Sequence, residues 1–251
     1  MQQIWQSAEN AIFAENGKDP TSGKRWDDLI DMDSWARKYL MQEIFGNADV
    51  LLASEYFYYN AADQLLYAGP IWDMDATLQY KGQPWLSCRG IIAGRPHLTK
   101  DTDRNLFYEL LQKPAFSDKV KELYQREFRP YLCKLLDGGL ESYSCRTRQA
   151  ILSHVVRWQE DDSQEDVMGI EAFLRKRMEL LDDRWIYETE LFLVQVQQYN
   201  RVWAFAAYPG ETLEFLPDME EIWYRTDTGE ILDKTMPVNT DMFLEVRPLD
   251  G

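Results

Sequence analysis

The stretch DLIDMDSWARKYLMQEIFGNAD, residues 28–49, determines how the first half of the chain folds. Its apolar residues recur at helical spacing, which predicts an amphipathic helix: Trp35, Tyr39, Leu40, Ile44 and Phe45. Asp33 is predicted to cap the start of this helix, and Gly46 with Asn47 to end it. The helix would therefore hold Asp49 at a fixed position just beyond its C-terminal turn.

Downstream, SEYFYYNAADQLLYAGPIWDMD, residues 54–75, predicts a β-hairpin. The aromatic run EYFYY suits one strand, NAADQ suits a turn, and LLYAGPIWDMD suits the returning strand, interrupted at Gly69 and Pro70. On a strand, Asp73 and Asp75 would point to one face with their Cα atoms about 6–7 Å apart. The pattern therefore predicts a pair of carboxylates that is able to serve a metal ion.

The remaining chain divides into a helical part and a β-rich part. Residues 2–15 and 102–186 show helical spacing, and residues 80–101 have no clear period and predict a long loop. After Tyr187 apolar and polar residues alternate with period two, which predicts strands. The expected fold class is α+β, with a mainly helical domain over 1–187 and a small all-β module over 188–251.

Composition excludes several classes of function. The formal net charge is −16, and such a field repels nucleic acids and anionic membranes. The three Cys and two His do not match the spacing of a zinc motif. The apolar runs are far shorter than the roughly 20 residues of a membrane helix, so no membrane span is expected. ATP stays compatible with the charge, because Mg²⁺ held by carboxylates inverts the local sign.

Three segments resemble the CotH kinase family of spore-coat proteins. Residues 28–49 are similar to the family stretch in which "aspartate, x, aspartate, serine, aromatic" opens a helix that ends in "glycine, asparagine, x, aspartate". YAGPIWDMD, residues 67–75, resembles the family's "GPxWDxD", the most specific of the three. FLRKRMELLDDRW, residues 173–185, looks like its closing "flxxRxxxLdxxW" helix. The resemblance covers roughly residues 25–186.

This resemblance implies a protein-kinase-like C-terminal lobe, with the WDxD motif carried by the hairpin. It further implies transfer of a phosphoryl group from Mg²⁺-bound ATP to Ser or Thr of a partner protein rich in these residues. By the same resemblance Asp49 would be the catalytic Asp, Asp73 would bind Mg²⁺ with Asp75 beside it, and Trp72 would form a wall of the cofactor site. Ser54 would be a further metal ligand.

Two departures from the kinase pattern stand out. Ser54 lies five positions after Asp49, where protein kinases place a metal-binding Asn. GKDPTSGKRW, residues 17–26, has Gly and Lys but no strand–loop–strand frame for a phosphate-binding loop. The expectation is therefore that this stretch of sequence lacks the N-terminal lobe of a kinase, so that it is inactive by itself.

The tail shows a second resemblance. Residues 206–246 resemble a β-grasp-like repeat of bacterial surface proteins, the Listeria–Bacteroides type, with its "PGE-x-L", Trp-Tyr and "TG" elements. This implies a bacterial protein of the cell surface, secreted or in the spore coat, in which the module is a spacer or adhesion element.

Three alternatives remain open at this stage. In the first alternative, the chain is an inactive kinase relative with a structural role, and Ser54 favours this interpretation. It is a glycoside hydrolase using paired carboxylates, which in inverting enzymes lie about 6.5–9.5 Å apart. Or it is an adhesion protein whose tail is the functional part. Oligomeric state and the identity of the substrate do not follow from the sequence.

Overall fold

The structure, a computed structural model, describes residues 2–47, 49–78, 87–99, 104–159, 166–216 and 221–248. These residues form a mainly helical part with a two-stranded hairpin, followed by a four-stranded sheet. The predicted α+β class is therefore confirmed, and this arrangement is compatible with a kinase-like fold. The division at residues 187 and 188 stays a prediction.

Helices account for most of residues 2–185. Those in the described part of the chain are α1 (Gln2–Phe13), α2 (Met32–Phe45), α3 (Leu106–Leu111), α4 (Pro114–Leu123), α5 (Arg129–Lys134), α6 (Leu140–Trp158) and α7 (Asp166–Trp185). The sequence predicted helices over 2–15 and 102–186, and the described parts of both stretches confirm them. None of the described helices is long and apolar enough to cross a membrane.

Helix α2 begins two residues earlier than the predicted Asp33 cap implied. Its N-cap is Asp31, whose carboxylate accepts a hydrogen bond from the backbone N–H of Ser34 at 2.8 Å. Asp33 instead lies in the first turn and pairs with Arg37. The prediction was wrong because both aspartates stand before the same apolar run, and either satisfies the capping pattern. The predicted end is confirmed, since Gly46 has φ +63°.

The predicted hairpin is confirmed, but it does not carry the WDxD motif. Strands β1 (Phe57–Asn60) and β2 (Leu65–Ala68) pair antiparallel, with Phe57 opposite Ala68. The chain leaves the sheet at Gly69-Pro70, because proline has no N–H to donate to a ladder. Residues 69–75 follow in irregular backbone, so the inference that Asp73 and Asp75 share a strand face was wrong.

One apolar core joins α2 to the hairpin and to the later helices. Trp35 and Tyr39 of α2 are fully buried, and the Trp35 indole N–H donates to the carbonyl of Leu66 at 2.9 Å. Tyr39 also lies near Trp185 of α7, with ring centroids 6.3 Å apart, and Trp185 packs against Tyr124 at 4.8 Å. Helix α2 therefore contacts both the hairpin and α7.

A four-stranded sheet follows α7. Its strands are β3 (Phe192–Gln198), β4 (Arg201–Ala207), β5 (Glu221–Arg225) and β6 (Met242–Pro248), in the order β4-β3-β6-β5. Neighbours are antiparallel except β3 and β6, which are parallel. The predicted period of two is visible in Val194 and Val196, both fully buried. Its assignment to a β-grasp repeat stays a prediction.

The sheet is hydrogen-bonded to the segment that precedes α3. Ile91 donates its backbone N–H to Ala204 at 2.8 Å, and Ala206 donates to Arg89 at 2.9 Å. Val202 donates to Leu98 at 3.1 Å, so residues 89–98 run along the outer edge of β4. This stretch falls within the predicted 80–101 loop, of which 80–86 and 100–101 lie outside the described residues. The loop thus connects the sheet to the helical part.

Asp19 connects the loop after α1 to that helix through hydrogen bonds. Its carboxylate accepts from Ser7 Oγ at 2.6 Å, and from the Ser22 hydroxyl and backbone N–H at 2.5 and 3.0 Å. The Ser22 hydroxyl, followed by that of Ser7, holds the pKa of Asp19 well below its usual range.

Replacing Asp19 by Asn is therefore expected to destabilise the fold in a pH-dependent way. Because the folded-state pKa is depressed, the charged carboxylate stabilises the fold above the unfolded value of about 4, and this contribution fades as the pH falls further. The difference in unfolding free energy between Asp19→Asn and wild type should be largest at neutral pH. Denaturant titrations from pH 7 to pH 3 measure it, and a difference that is independent of pH would contradict the assignment.

Candidate functional site

The turn after α2 presents Asp49 on a frame of polar contacts. Asn47 is buried, its side-chain oxygen accepts the backbone N–H of Asp49 at 3.0 Å, and its amide donates to Gln42 Oε1 at 2.6 Å. The carbonyl of Asp49 accepts from the N–H groups of Leu52 and Ala53. The backbone of Asp49 is therefore fixed, while 37% of its side chain remains exposed.

A buried ion pair also stabilises the turn that carries Asp49. Lys38 of α2 lies 2.5 Å from the Glu55 carboxylate, and their side chains are 1% and 11% exposed. Glu55 also accepts from the Gln42 amide at 3.1 Å and the Leu51 N–H at 3.3 Å. Sequence reasoning missed Lys38, Gln42 and Glu55. A signal was available, because Lys38 and Gln42 are four residues apart on an otherwise apolar helix. Residues at this spacing lie next to each other on the helix surface.

The WDxD segment lies against this turn. Ser54 Oγ donates to Asp73 Oδ2 at 2.9 Å, and the Asn47 amide lies 3.7 Å from the sulfur of Met74. Further along, Leu78 donates its N–H to the carbonyl of Phe45 at the end of α2. The structure thus brings together Ser54 and Asp73, which the sequence assigned to one metal site, and places them beside the turn that carries Asp49.

Four non-glycine residues of this region adopt left-handed backbone: Leu51 at φ +59°, Ser54 at φ +56°, Asp73 at φ +57° and Leu78 at φ +55°. This conformation is uncommon outside glycine, and Asn and Asp tolerate it best. It costs of order 1–3 kcal/mol per residue, and such strain clusters at functional sites. Position 54 therefore has a backbone that suits the Asn of the kinase pattern, and here Ser occupies it.

The other two predicted site residues are more exposed. Trp72 is 60% exposed and meets Tyr56 edge-to-face, with ring centroids 6.2 Å apart. Asp75 is exposed, and among the described residues its carboxylate has no hydrogen bond or ion pair. Both follow from the chain's departure from the sheet after Ala68, which leaves Trp72 and Asp75 exposed while Met74 stays partly buried.

The oxygen atoms at this site are of the kind that bind a magnesium ion. Within the described ranges, no group of three or more His, Cys, Asp and Glu side chains is arranged to hold a metal. Mg²⁺ does not require such a cage, because it keeps several waters and is commonly bound through one or two carboxylates plus substrate phosphates. The exposed Asp73 carboxylate with the Ser54 hydroxyl beside it fits that mode, and Asp75 lies two residues away.

Glu43 of α2 is completely buried, although a glutamate on a helix is usually solvated. Its carboxylate pairs with the Arg177 guanidinium at 2.8 Å and accepts the N–H of Ile92 at 3.1 Å. Arg177 also donates to the carbonyls of Glu43 at 3.0 Å and of Cys88 at 3.0 Å, and contacts that of Gly90. This pair joins α2, α7 and the segment beside β4. The sequence alone does not reveal this pair, because a lone Glu on a helix gives no signal of a partner 134 residues away.

Strand β4 contributes a cation to the candidate site. The guanidinium of Arg201 lies 3.6 Å from Asp49 Oδ1, with 43% of its side chain exposed. Arg201 is the first residue of β4, and a bridge to Thr99 fixes its position. Sequence reasoning missed Arg201. Alternating apolar and polar residues predict a strand, but they do not show which residues lie beside that strand in the fold.

A broad cleft adjoins the turn on the side of α1. It encloses about 1470 Å³ between α1, the hairpin and the start of α3, and its walls include Trp5, Leu51, Glu55 and Arg104. The cleft therefore shares Leu51 and Glu55 with the frame under Asp49, and it is large enough for a nucleotide.

Comparison with known proteins agrees with the geometry. A comparison with curated protein sequences finds no match. The family model described as "CotH kinase protein" matches residues 3–181, more than half of the chain. All three motif segments that suggested the family lie in or overlap this span, as do Asp49, Ser54 and Asp73. The chain therefore belongs to the CotH kinase family.

Proposed function

We propose that this protein is an atypical kinase that transfers the terminal phosphoryl group of Mg²⁺-ATP to Ser or Thr of a partner protein. The observation that carries the proposal is the Ser54–Asp73 contact beside the turn that presents Asp49. Phosphoryl transfer needs positioning and charge stabilisation more than covalent chemistry, and this set of oxygen ligands supplies both.

The residues have separate roles in this proposal. Asp49, fixed through its backbone and half-exposed at its carboxylate, accepts the proton of the attacking hydroxyl. Asp73 and Ser54 would hold Mg²⁺, and Asp75 would bind it directly or through water. The ion, when bound, neutralises charge on the phosphates. Trp72 forms a wall against the nucleotide. By family resemblance the partner is a protein of the bacterial surface or spore coat, and the β-sheet is a spacer or adhesion element.

A second candidate is an inactive relative that binds partners without transferring phosphate. Ser54 favours it, because a hydroxyl is a weaker metal ligand than the amide carbonyl of the kinase Asn. Its contact with Asp73 and its left-handed backbone favour retained metal binding instead. The two candidates differ in turnover rather than in nucleotide binding.

Calorimetric titration of the full-length protein with Mg²⁺-ATP tests the binding half of the proposal. Wild type should bind in the presence of Mg²⁺ and lose at least tenfold in affinity with EDTA. Asp73→Asn should lose a similar factor, because a primary metal ligand is gone.

The matched control is Asp63→Asn, which alters an exposed carboxylate in the hairpin turn. It should bind like wild type. Equal affinity in the Asp73→Asn and Asp63→Asn proteins would contradict the metal assignment.

A further inference from the structure

Two arginines flank one tryptophan where the loop meets the sheet. The guanidinium carbon of Arg95 lies 5.4 Å from the ring centroid of Trp203, and that of Arg201 lies 5.8 Å from the same centroid. The Val202–Leu98 hydrogen bond and the Thr99–Arg201 bridge hold the two segments together. Two like charges are therefore kept close in a fixed arrangement.

Arg95 is a buried cation without a matching anion. It is 4% exposed, its Nε has no hydrogen-bond partner, and no ion pair reaches its guanidinium among the described residues. Glu43 attracts it, but that carboxylate is already bonded to Arg177 and to the Ile92 N–H. Burial, then the charge of Arg201, lowers the pKa of Arg95 to about 10, so it is still charged at pH 7.

Such a group is costly in a protein that binds nothing there. An uncompensated buried charge destabilises the fold, and buried polar groups without partners are rare enough to require a reason. An anion that enters beside Arg95 would remove the cost. Arg201 is 43% exposed, so the approach to the pair is open to solvent.

The position of the pair indicates which anion. Arg201 lies 3.6 Å from Asp49, the residue to which we assign the proton transfer. A phosphoryl group must pass next to Asp49 in that reaction, and guanidinium groups match phosphate oxygens in shape and charge. Arg201 also lies outside residues 3–181, so the family match does not account for it.

We infer that Arg95 and Arg201 form a binding site for a phosphate dianion, either the terminal phosphate of the nucleotide or the phosphorylated Ser or Thr of the product. This inference rests on the proposed function and makes the first part of the sheet a component of the active site. Asp49 alone does not account for the pair, because Arg95 is buried and is not ion-paired with Asp49 within the described chain.

Melting temperatures with and without inorganic phosphate test the site directly, at ionic strength matched with chloride. Wild type should show a saturable upward shift. Arg95→Met should melt higher than wild type without phosphate, because the unpaired charge is gone, and should lose the shift. Arg201→Met, a change at an exposed side chain, should lose most of the shift and still fold. Arg175→Met, at an exposed arginine of α7, should keep it.

The outcomes separate this inference from the proposed function. A phosphate shift that disappears in Arg95→Met and Arg201→Met supports the site even if Mg²⁺-ATP does not bind. No shift in wild type, or an Arg95→Met protein that melts lower and keeps the shift, overturns the site even if Mg²⁺-ATP binds normally.

The source of the phosphate is a further arm of the experiment. If Arg201→Met weakens Mg²⁺-ATP binding at least tenfold, the ligand is the nucleotide phosphate. If it weakens only binding of a phosphoserine peptide, the ligand is the product. Unchanged binding of both would overturn the inference.

Discussion

Replacing Arg177 by Met is expected to destabilise the fold by about 3–5 kcal/mol. The substitution leaves the buried Glu43 carboxylate with one more distant cation, Arg184 at 3.7 Å. The carbonyls of Glu43, Cys88 and Gly90 also lose a donor. Removing one partner of a buried pair costs far more than the pair contributes, because the remaining charge stays desolvated. Urea denaturation followed by tryptophan fluorescence measures the change.

Arg175→Met is the matched control, since Arg175 lies two residues earlier on α7. Its side chain is 52% exposed and pairs with Glu171 on the same helix, so its loss should cost less than about 1 kcal/mol. If the two variants were equally stable, the Glu43–Arg177 pair would not join the helices to the β4 edge as described. A large loss for both would instead indicate that α7 tolerates no change on this turn.

The packing also explains why the three motif segments have the residues they do. Asp31 caps α2, and Ser34 Oγ accepts the N–H of Ala68 at 3.1 Å, which joins the helix to the hairpin. In the closing motif, Arg177 pairs with Glu43, and Asp182 accepts from Tyr124 at 2.7 Å and from Arg129 at 2.9 Å. Many of the motif residues therefore stabilise the fold and have no part in the proposed reaction.

Local pattern was sufficient to predict the elements. Helical spacing predicted α2, α6 and α7, and alternation predicted the strands after Tyr187, because these periods reflect which side of an element is buried. The error at Asp73 has a local cause as well. Gly69 and Pro70 indicate an interruption of the strand, but the composition of WDMD does not show whether the strand resumes after it.

Long-range pairings could not be predicted. The Arg201–Asp49 contact joins a strand of the C-terminal sheet to the turn after α2, and the Lys38–Glu55 pair depends on how the 50–56 loop folds back. Neither pairing leaves a periodic trace, because each depends on the tertiary path. The sequence identified Asp49, Ser54 and Asp73 as candidate site residues, but only the structure shows which residues lie beside them.

The Asp49→Asn variant is expected to lose about 10²–10⁴-fold in the rate of phosphoryl transfer, the usual contribution of a positioned general base. The amide keeps the shape of the side chain but is unable to accept the proton. Mg²⁺-ATP affinity should stay within a few-fold of wild type, because Asp49 is not assigned to the metal. A matching loss of affinity would mean that Asp49 binds the ion or the phosphates instead.

The most direct test is transfer of labelled phosphate from γ-labelled ATP to Ser and Thr. The full-length protein is incubated with Mg²⁺ and a Ser- and Thr-rich peptide, and the label is assigned by phosphoamino-acid analysis. We predict label on Ser or Thr with wild type and with Asp63→Asn, and almost none with Asp49→Asn or Asp73→Asn. Label that persists in the Asp49→Asn protein, or a wild type that binds Mg²⁺-ATP and transfers nothing, would contradict the kinase mechanism.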